Sequence, residues 1–189
     1  NDRVVRQTRA RAVYQPGKSQ YILCTGVLDS GTNASGVESR IGYFDDDDGV
    51  FFSHVAGVVS VNLRTSTSGS PVTSVVSQSS WNIDAMDGNG ESGIDLDSTK
   101  TVIYFFDLEW LGVGRVRTGV IVQGQKFVCH EFYHSNRSLQ EPYMALPSLP
   151  IRWEIQSTVS TNAGSMRAIC GTVSSEGGHN TQGRQFSAI

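Results

Sequence analysis

The stretch Thr101-Val-Ile-Tyr-Phe-Phe-Asp-Leu-Glu-Trp-Leu111 decides the fold, together with Arg115-Val-Arg-Thr-Gly-Val-Ile-Val-Gln123 and Lys126-Phe-Val-Cys-His-Glu-Phe-Tyr-His134. In an extended chain successive side chains point to opposite faces. Val102, Tyr104, Phe106, Leu108 and Trp110 therefore form an unbroken apolar row, while Ile103, Phe105, Asp107 and Glu109 share the other face. A three-residue turn at Gly112-Val-Gly114 is expected to set Trp110 opposite Val116 and Glu109 opposite Arg117. A two-residue turn at Gly124-Gln125 then sets Val122 opposite Phe127 and Val120 opposite Cys129. The apolar row is core. The second face aligns Asp107, Gly119 and His130, then Glu109, Arg117 and Phe132. A slip by one residue would bury both carboxylates, so the register has little freedom.

Working outward, similar segments recur at 4–14, 20–28, 39–44, 50–54, 58–65, 72–77, 151–157 and 166–174. Turn chemistry separates them: Gln15-Pro-Gly-Lys18, Asp29-Ser-Gly31, Asp48-Gly49, Ser68-Gly69 and Gly124-Gln125. Helical turns are expected only near 80–86 and 135–140. Eleven strands in 189 residues imply an all-β fold, an antiparallel two-sheet sandwich of jelly-roll-like type. The whole chain, 1–189, reads as a single β-sandwich domain, with 1–12 as a basic N-terminal arm or edge strand.

Composition agrees. Charged residues make up 17% of the chain, against about 25% in ordinary globular proteins, and glycine contributes 20 residues. That balance disfavours a helical bundle. A net charge of −3 gives no global pull toward nucleic acid, so such a partner is not expected. No apolar run reaches the length of a membrane-spanning helix; residues 102–106 stop at Asp107. Cys24, Cys129 and Cys170 each sit in an apolar run and are expected to be buried free thiols. The chain lacks a signal-peptide pattern and an initiator Met, which fits a processed chain or an internal start.

Several motifs invite chemistry. His130-Glu-Phe-Tyr-His134 is a literal HExxH, which binds zinc when its histidines lie one helical turn apart. On a strand they would stand about 13 Å apart, too far for one metal. Asp107 and Glu109, about 7 Å apart on one face, match glycosidase carboxylate spacing. Arg117 is expected to neutralise Glu109, leaving a salt bridge or a polar ligand patch of Asp107, Glu109, Arg117 and His130. Gly88-x-Gly90-x-x-Gly93 neither follows a strand nor opens a helix, so it reads as a glycine-rich turn. Asp87, Asn89 and Glu91, with Asp95 and Asp97 following, place oxygen ligands at alternate positions as calcium loops do, but the required glycine falls one place late and no glutamate closes the loop. The run 45–48 is a second acidic turn, at a hairpin tip. No catalytic residue, cofactor or metal is assigned, and the protein is expected not to be an enzyme.

Two surfaces suggest assembly. Arg3, Arg6, Arg9 and Arg11 form the basic arm, better suited to an acidic neighbouring subunit than to nucleic acid. The connection 139–150 is unusually apolar, and its Tyr143, Met144 and Leu146 are expected to be covered by something.

One resemblance rests on the order of short motifs. These are Gln7-Thr-Arg9, Tyr14-Gln-Pro-Gly-Lys-Ser19, Arg40-Ile-Gly-Tyr-Phe-Asp45, Gly49-Val-Phe-Phe52, Trp81-Asn-Ile-Asp84 and Met86-Asp-Gly88. They continue with Trp110-Leu-Gly-Val-Gly-Arg115, Cys129-His-Glu-Phe132, Leu149-Pro-Ile-Arg152 and Ser175-Glu-Gly-Gly178. The series resembles a domain of virion proteins in tailed phages of aquatic microbes and in large DNA viruses. The resemblance spans about 6 to 178 and implies a structural virion component with no catalytic residues to transfer. The leading expectation is thus a capsid, tail or fibre protein, located in the virion, whose partners are copies of itself and other virion proteins. The alternative is a glycan-binding module for host-surface attachment. Neither involves membrane insertion.

Overall fold

The structure, a computed structural model, describes residues 2–15, 17–31, 33–109, 114–137, 141–159 and 162–176. Strands β1 (Asp2–Gln7), β10 (Ile151–Ser157), β3 (Val37–Phe44), β4 (Gly49–Val55), β5 (Val58–Thr65) and β6 (Val72–Ser77) form one sheet, in that spatial order. The second sheet runs β11 (Arg167–Ser175), β2 (Gln20–Val27), β7 (Val102–Leu108), β8 (Arg115–Val122), β9 (Gln125–Tyr133). Every pairing is antiparallel. The chain crosses between sheets at its beginning and end and winds locally in the middle, giving a jelly-roll-like sandwich. One 3-10 turn, Gln78–Ser80, takes the place of the helical turn expected at 80–86.

The core follows from alternation. Ile22, Cys24, Tyr104, Phe106, Leu108, Val116 and Val120 of the five-stranded sheet meet Ile41, Tyr43, Val50, Phe52, Val61 and Trp153 of the other. Phe52 joins the sheets, its ring 4.9 Å from Tyr104, 5.6 Å from Phe106 and 5.9 Å from Trp81. Fully burying a side chain of this size contributes roughly 1.5–3 kcal/mol.

The central meander keeps its expected faces but not its expected pairs. Arg117 lies opposite Asp107 and Val116 opposite Leu108, two residues from the expected register. An even slip leaves every side chain on its face, which is why the apolar row is still core. Among the described residues, the backbone bond nearest the connection runs from the Glu109 N–H to the Arg115 carbonyl. The next turn is centred on Gln123 and Gly124, with φ of 51° and 78°, so Val120 faces Phe127. Positive φ at both positions matches the twist of a two-residue hairpin. A bulge at Cys129 then sets His130 opposite Thr118. Cys24 and Cys129 are buried thiols, whereas Cys170, on the edge strand β11, is exposed. Trp110, Gly112, Val113 and residues 138–140, the end of the second expected helical turn, lie outside the described residues.

Gly49 shows how sequence and packing combine. Its φ is +140°, and a Cβ there would overlap Phe44 and the Tyr43 carbonyl. Gly57 also has a positive φ, +85°, yet nothing lies within 4 Å of its would-be Cβ. Gly49→Ala should therefore cost about 2–4 kcal/mol, against about 1 kcal/mol for Gly57→Ala, in urea unfolding. Equal costs would show that packing against Phe44 is not limiting.

Candidate functional site

Cross-strand pairing assembles a polar surface on the outer face of the six-stranded sheet. One row reads Gln7, Arg152, Gly42, Phe51, Asn62 and Val75 across the strands. The next reads Val5, Glu154, Arg40, Ser53, Ser60 and Ser77. Most of these positions alternate with core residues, so polarity here is the other half of the same pattern.

Glu154 is the centre. It is fully buried, and its carboxylate accepts from Arg3 at 2.7 Å, Arg40 at 2.7 Å and Arg152 at 3.3 Å. Arg40 also grips Glu38 through two nitrogens, at 2.7 and 2.6 Å, and Gln156 donates to the same Glu38. Asp46 accepts from both Arg3 and Arg152. Those two guanidiniums, Arg3 first, lower the Asp46 carboxyl to about 2.

The cations also lie over aromatic rings. Arg40 and Arg64 stand 5.7 and 5.1 Å from the Phe51 centroid, and Arg152 stands 5.4 Å from that of Phe44. The two rings are themselves 4.4 Å apart. Arg64 donates to Thr73 Oγ1 and the Asp45 carbonyl, and no carboxylate among the described residues lies within ion-pair distance of it. Burial, then repulsion from Arg40, lowers its pKa. Beside these long side chains the Asn62 amide donates to Ser53 Oγ at 2.8 Å, and Ser60 adds another hydroxyl. The face is a rigid grid of guanidinium, carboxylate, amide and hydroxyl groups.

The patch expected on the opposite sheet does not form as one site. Asp107 is paired with Arg117 at 2.6 Å, while Glu109 pairs with Arg115 at 2.9 Å, not with Arg117. Lys126 reaches to 3.9 Å from Asp107 and covers the Tyr21 and Phe105 rings at 5.1 and 5.3 Å. The bulge removes His130 from this group and places its Nδ1 as acceptor for the Asn82 N–H. His134 packs instead against Tyr143, with centroids 5.7 Å apart. The HExxH histidines therefore serve separate local contacts. Among the described residues no three His, Cys, Asp or Glu groups converge to hold a metal ion.

The acidic loops are likewise occupied by the chain's own donors. Asp45 Oδ1 accepts the Asp47 and Asp48 N–H groups, and its Oδ2 pairs with Arg11. Asp48 accepts from Ser66 and from the Ala145 N–H. Asp84 accepts the Met86 and Ser92 N–H groups, and a Cβ on Gly90 would overlap its carboxylate. The GxGxxG glycine is thus required by a neighbouring aspartate, not by a nucleotide.

The assembly residues are mainly used within the chain. Arg3 and Arg11 are ion-paired, and Arg6 donates to the Ala168 carbonyl at 3.1 Å. Arg9 is exposed. Tyr143 and Met144 belong to the core, and the Tyr143 hydroxyl donates to the Glu109 carbonyl, so their own domain covers them. Only Leu146 of the three is exposed, at 49%. The outer face of the six-stranded sheet was missed from sequence. Its signal was the alternation Glu38-x-Arg40-x-Gly42 and Arg152-x-Glu154-x-Gln156, whose partners meet only across strands.

No protein-family model and no curated protein matches the sequence. Among solved structures the chain is similar to sheep galectin-11 in complex with glycerol, at 12% identity and TM-score 0.43, covering 92% of this chain and 98% of that one. It is similar to a tetrameric galectin from the ball sponge Cinachyrella, at 8% identity and TM-score 0.39, covering 90% and 99%. It is also similar to the receptor binding domain of botulinum neurotoxin mosaic serotype C/D, at 10% identity and TM-score 0.40. That match covers 74% of this chain, and the chain spans 32% of the toxin domain.

Two measurements check the electrostatics. Glu154→Ala should cost about 3–5 kcal/mol in urea unfolding, because three guanidiniums lose their shared partner. Asp107→Ala, which leaves a half-exposed arginine, should cost much less. Stability should also depend on pH in two steps. Burial lowers the His130 and His134 pKa values, so the unfolded chain takes up protons first as pH falls below ~6.5. Asp45, Asp46 and Asp84 are likewise lowered, so their contribution is present above ~4 and lost as pH falls through their folded values. The urea midpoint should be flat from about pH 7 to 8, decline below ~6.5 and drop again below ~4; Asp46→Asn should weaken only the second decline.

Proposed function

We propose that the protein is a non-catalytic binding module whose outer six-stranded face recognises carbohydrate. The observation that carries this reading is the grid around Arg40, Glu154, Asn62 and Arg64. Its hydrogen-bonding groups are oriented by one another on rigid strands, so little ordering remains to be done when a hydroxyl-rich ligand arrives. Vicinal hydroxyls both donate and accept, which suits the partly exposed guanidiniums of Arg40 and Arg64 beside the Glu38 carboxylate, with the buried Glu154 holding Arg40 in place. Arg64 keeps donor capacity at the edge of the grid, beside the short side chains Ser60 and Thr73. A catalytic alternative finds less support, since Asp107 and Glu109 each carry an arginine partner.

The setting we propose for this module is a virus particle, in capsid, tail or fibre. Many of the motif residues behind the virion resemblance are folding determinants: Tyr43, Phe52, Trp81, Met86 and Leu149 lie in the core. Asp45, Asp84 and Arg152 anchor turns and the ionic grid. This supports a shared sandwich and is compatible with glycan attachment at a particle surface. Mass spectrometry and cryo-EM of purified particles test the setting, which fails if the protein is absent from them.

An array of neutral and acidic oligosaccharides tests the binding reading. The unmodified protein should retain a defined subset. Arg64→Ala, which removes the partly exposed donor at the edge of the grid, should weaken binding about tenfold or more, whereas Asp107→Ala on the opposite sheet should bind normally. Absence of any retained glycan, or unchanged binding by Arg64→Ala, overturns the reading.

A further inference from the structure

An edge strand presents unpaired backbone groups, and proteins normally blunt it with charge, proline, a bulge or a covering segment. Three of the four edges here are blunted. β1 carries Asp2, Arg3 and Arg6. β11 is interrupted by a bulge between Ala168 and Cys170 and begins with Arg167. β9 is covered, since the Asn82 amide donates to the Glu131 carbonyl and accepts its N–H. The Cys129 carbonyl accepts the N–H groups of Ile83 and Asp84 on the same edge.

Within β6 itself there is no charge, no proline and no bulge; Pro71 stands only at its entrance. Its sequence is Val-Thr-Ser-Val-Val-Ser, and no charged residue occurs anywhere between Arg64 and Asp84. Val72 and Val75 are 54% and 61% exposed. Its inner neighbour is β5, and among the described residues no backbone group of residues 72–75 is bonded to a second neighbour. Toward its end the Trp81 indole takes the Val76 carbonyl. The free edge is β-branched, neutral and regular in register with β5 from Thr65 to Ser60.

We propose that β6 pairs antiparallel with β6 of a second copy of this chain, joining two six-stranded sheets into one. The occupant is a second copy because the edge is self-complementary. Antiparallel pairing about a two-fold axis sets this neutral strand against itself with no like charges opposed, whereas a charged partner strand finds no counter-charge. The joined sheet sets the outer faces of two copies side by side across the seam. The pairing rests on the edge alone and stands whether or not that face binds carbohydrate.

Sedimentation of the full chain over a range of concentrations tests it. The unmodified protein should move from 20.5 kDa toward twice that mass as concentration rises. Val72→Lys combined with Val75→Lys should stay monomeric across the range. Both positions are exposed, and an unchanged thermal melt of that variant at low concentration establishes that it remains folded. Arg6→Glu, on the far edge of the same sheet, should associate like the unmodified chain. The proposal is overturned by a monomer throughout, or by a dimer that the paired lysines leave intact.

Discussion

The acidic turn of Asp45, Asp46, Asp47 and Asp48, between β3 and β4, is the constraint on which much of this sandwich depends. Its first carboxylate closes the turn on its own backbone and holds Arg11 of the N-terminal segment. Its second bridges Arg3 on β1 and Arg152 on β10. Its fourth ties down the β5–β6 connection at Ser66 and the Ala145 backbone. Segments far apart in sequence thereby share one four-residue anchor. Acidic side chains suit this role because each carboxylate accepts several bonds, and turn N–H groups and guanidiniums are the donors at hand.

That anchor passes directly into the polar face. Asp46 shares Arg3 and Arg152 with Glu154, and Glu154 shares Arg40 with Glu38. A fully buried carboxylate would be costly alone; three guanidiniums compensate it, and the rings of Phe44 and Phe51 support two of them. Low overall charge is therefore misleading as a guide to electrostatics here. The few charges are concentrated where they satisfy one another, leaving the β6 edge bare.

Much of the fold was legible in the chain because alternation is a local signal. Ten of the eleven strands fall at their expected places, while the first, expected over 4–14, is confined to Asp2–Gln7; Tyr104, Phe106 and Leu108 are core as their row requires. Pairing was less legible. Turn geometry at Gln123 and Gly124 and the bulge at Cys129 moved the partners of Arg117 and His130, and neither feature has an unambiguous sequence signature. The Arg arm and the loop residues Tyr143 and Met144 were read as outward surfaces because their partners, Asp45, Glu154 and the core, lie distant in sequence.

By itself, then, the sequence determined which residues alternate inward, that the elements are strands, and that HExxH cannot gather a metal on a strand. These are consequences of a two-residue period and of residue type. Only the tertiary structure decided which polar positions meet. The bond between Arg40 and Glu154 spans 114 residues, and it exists because β10 inserts between β1 and β3. Strand order is set by how the whole apolar surface closes, and no local window of sequence contains that information.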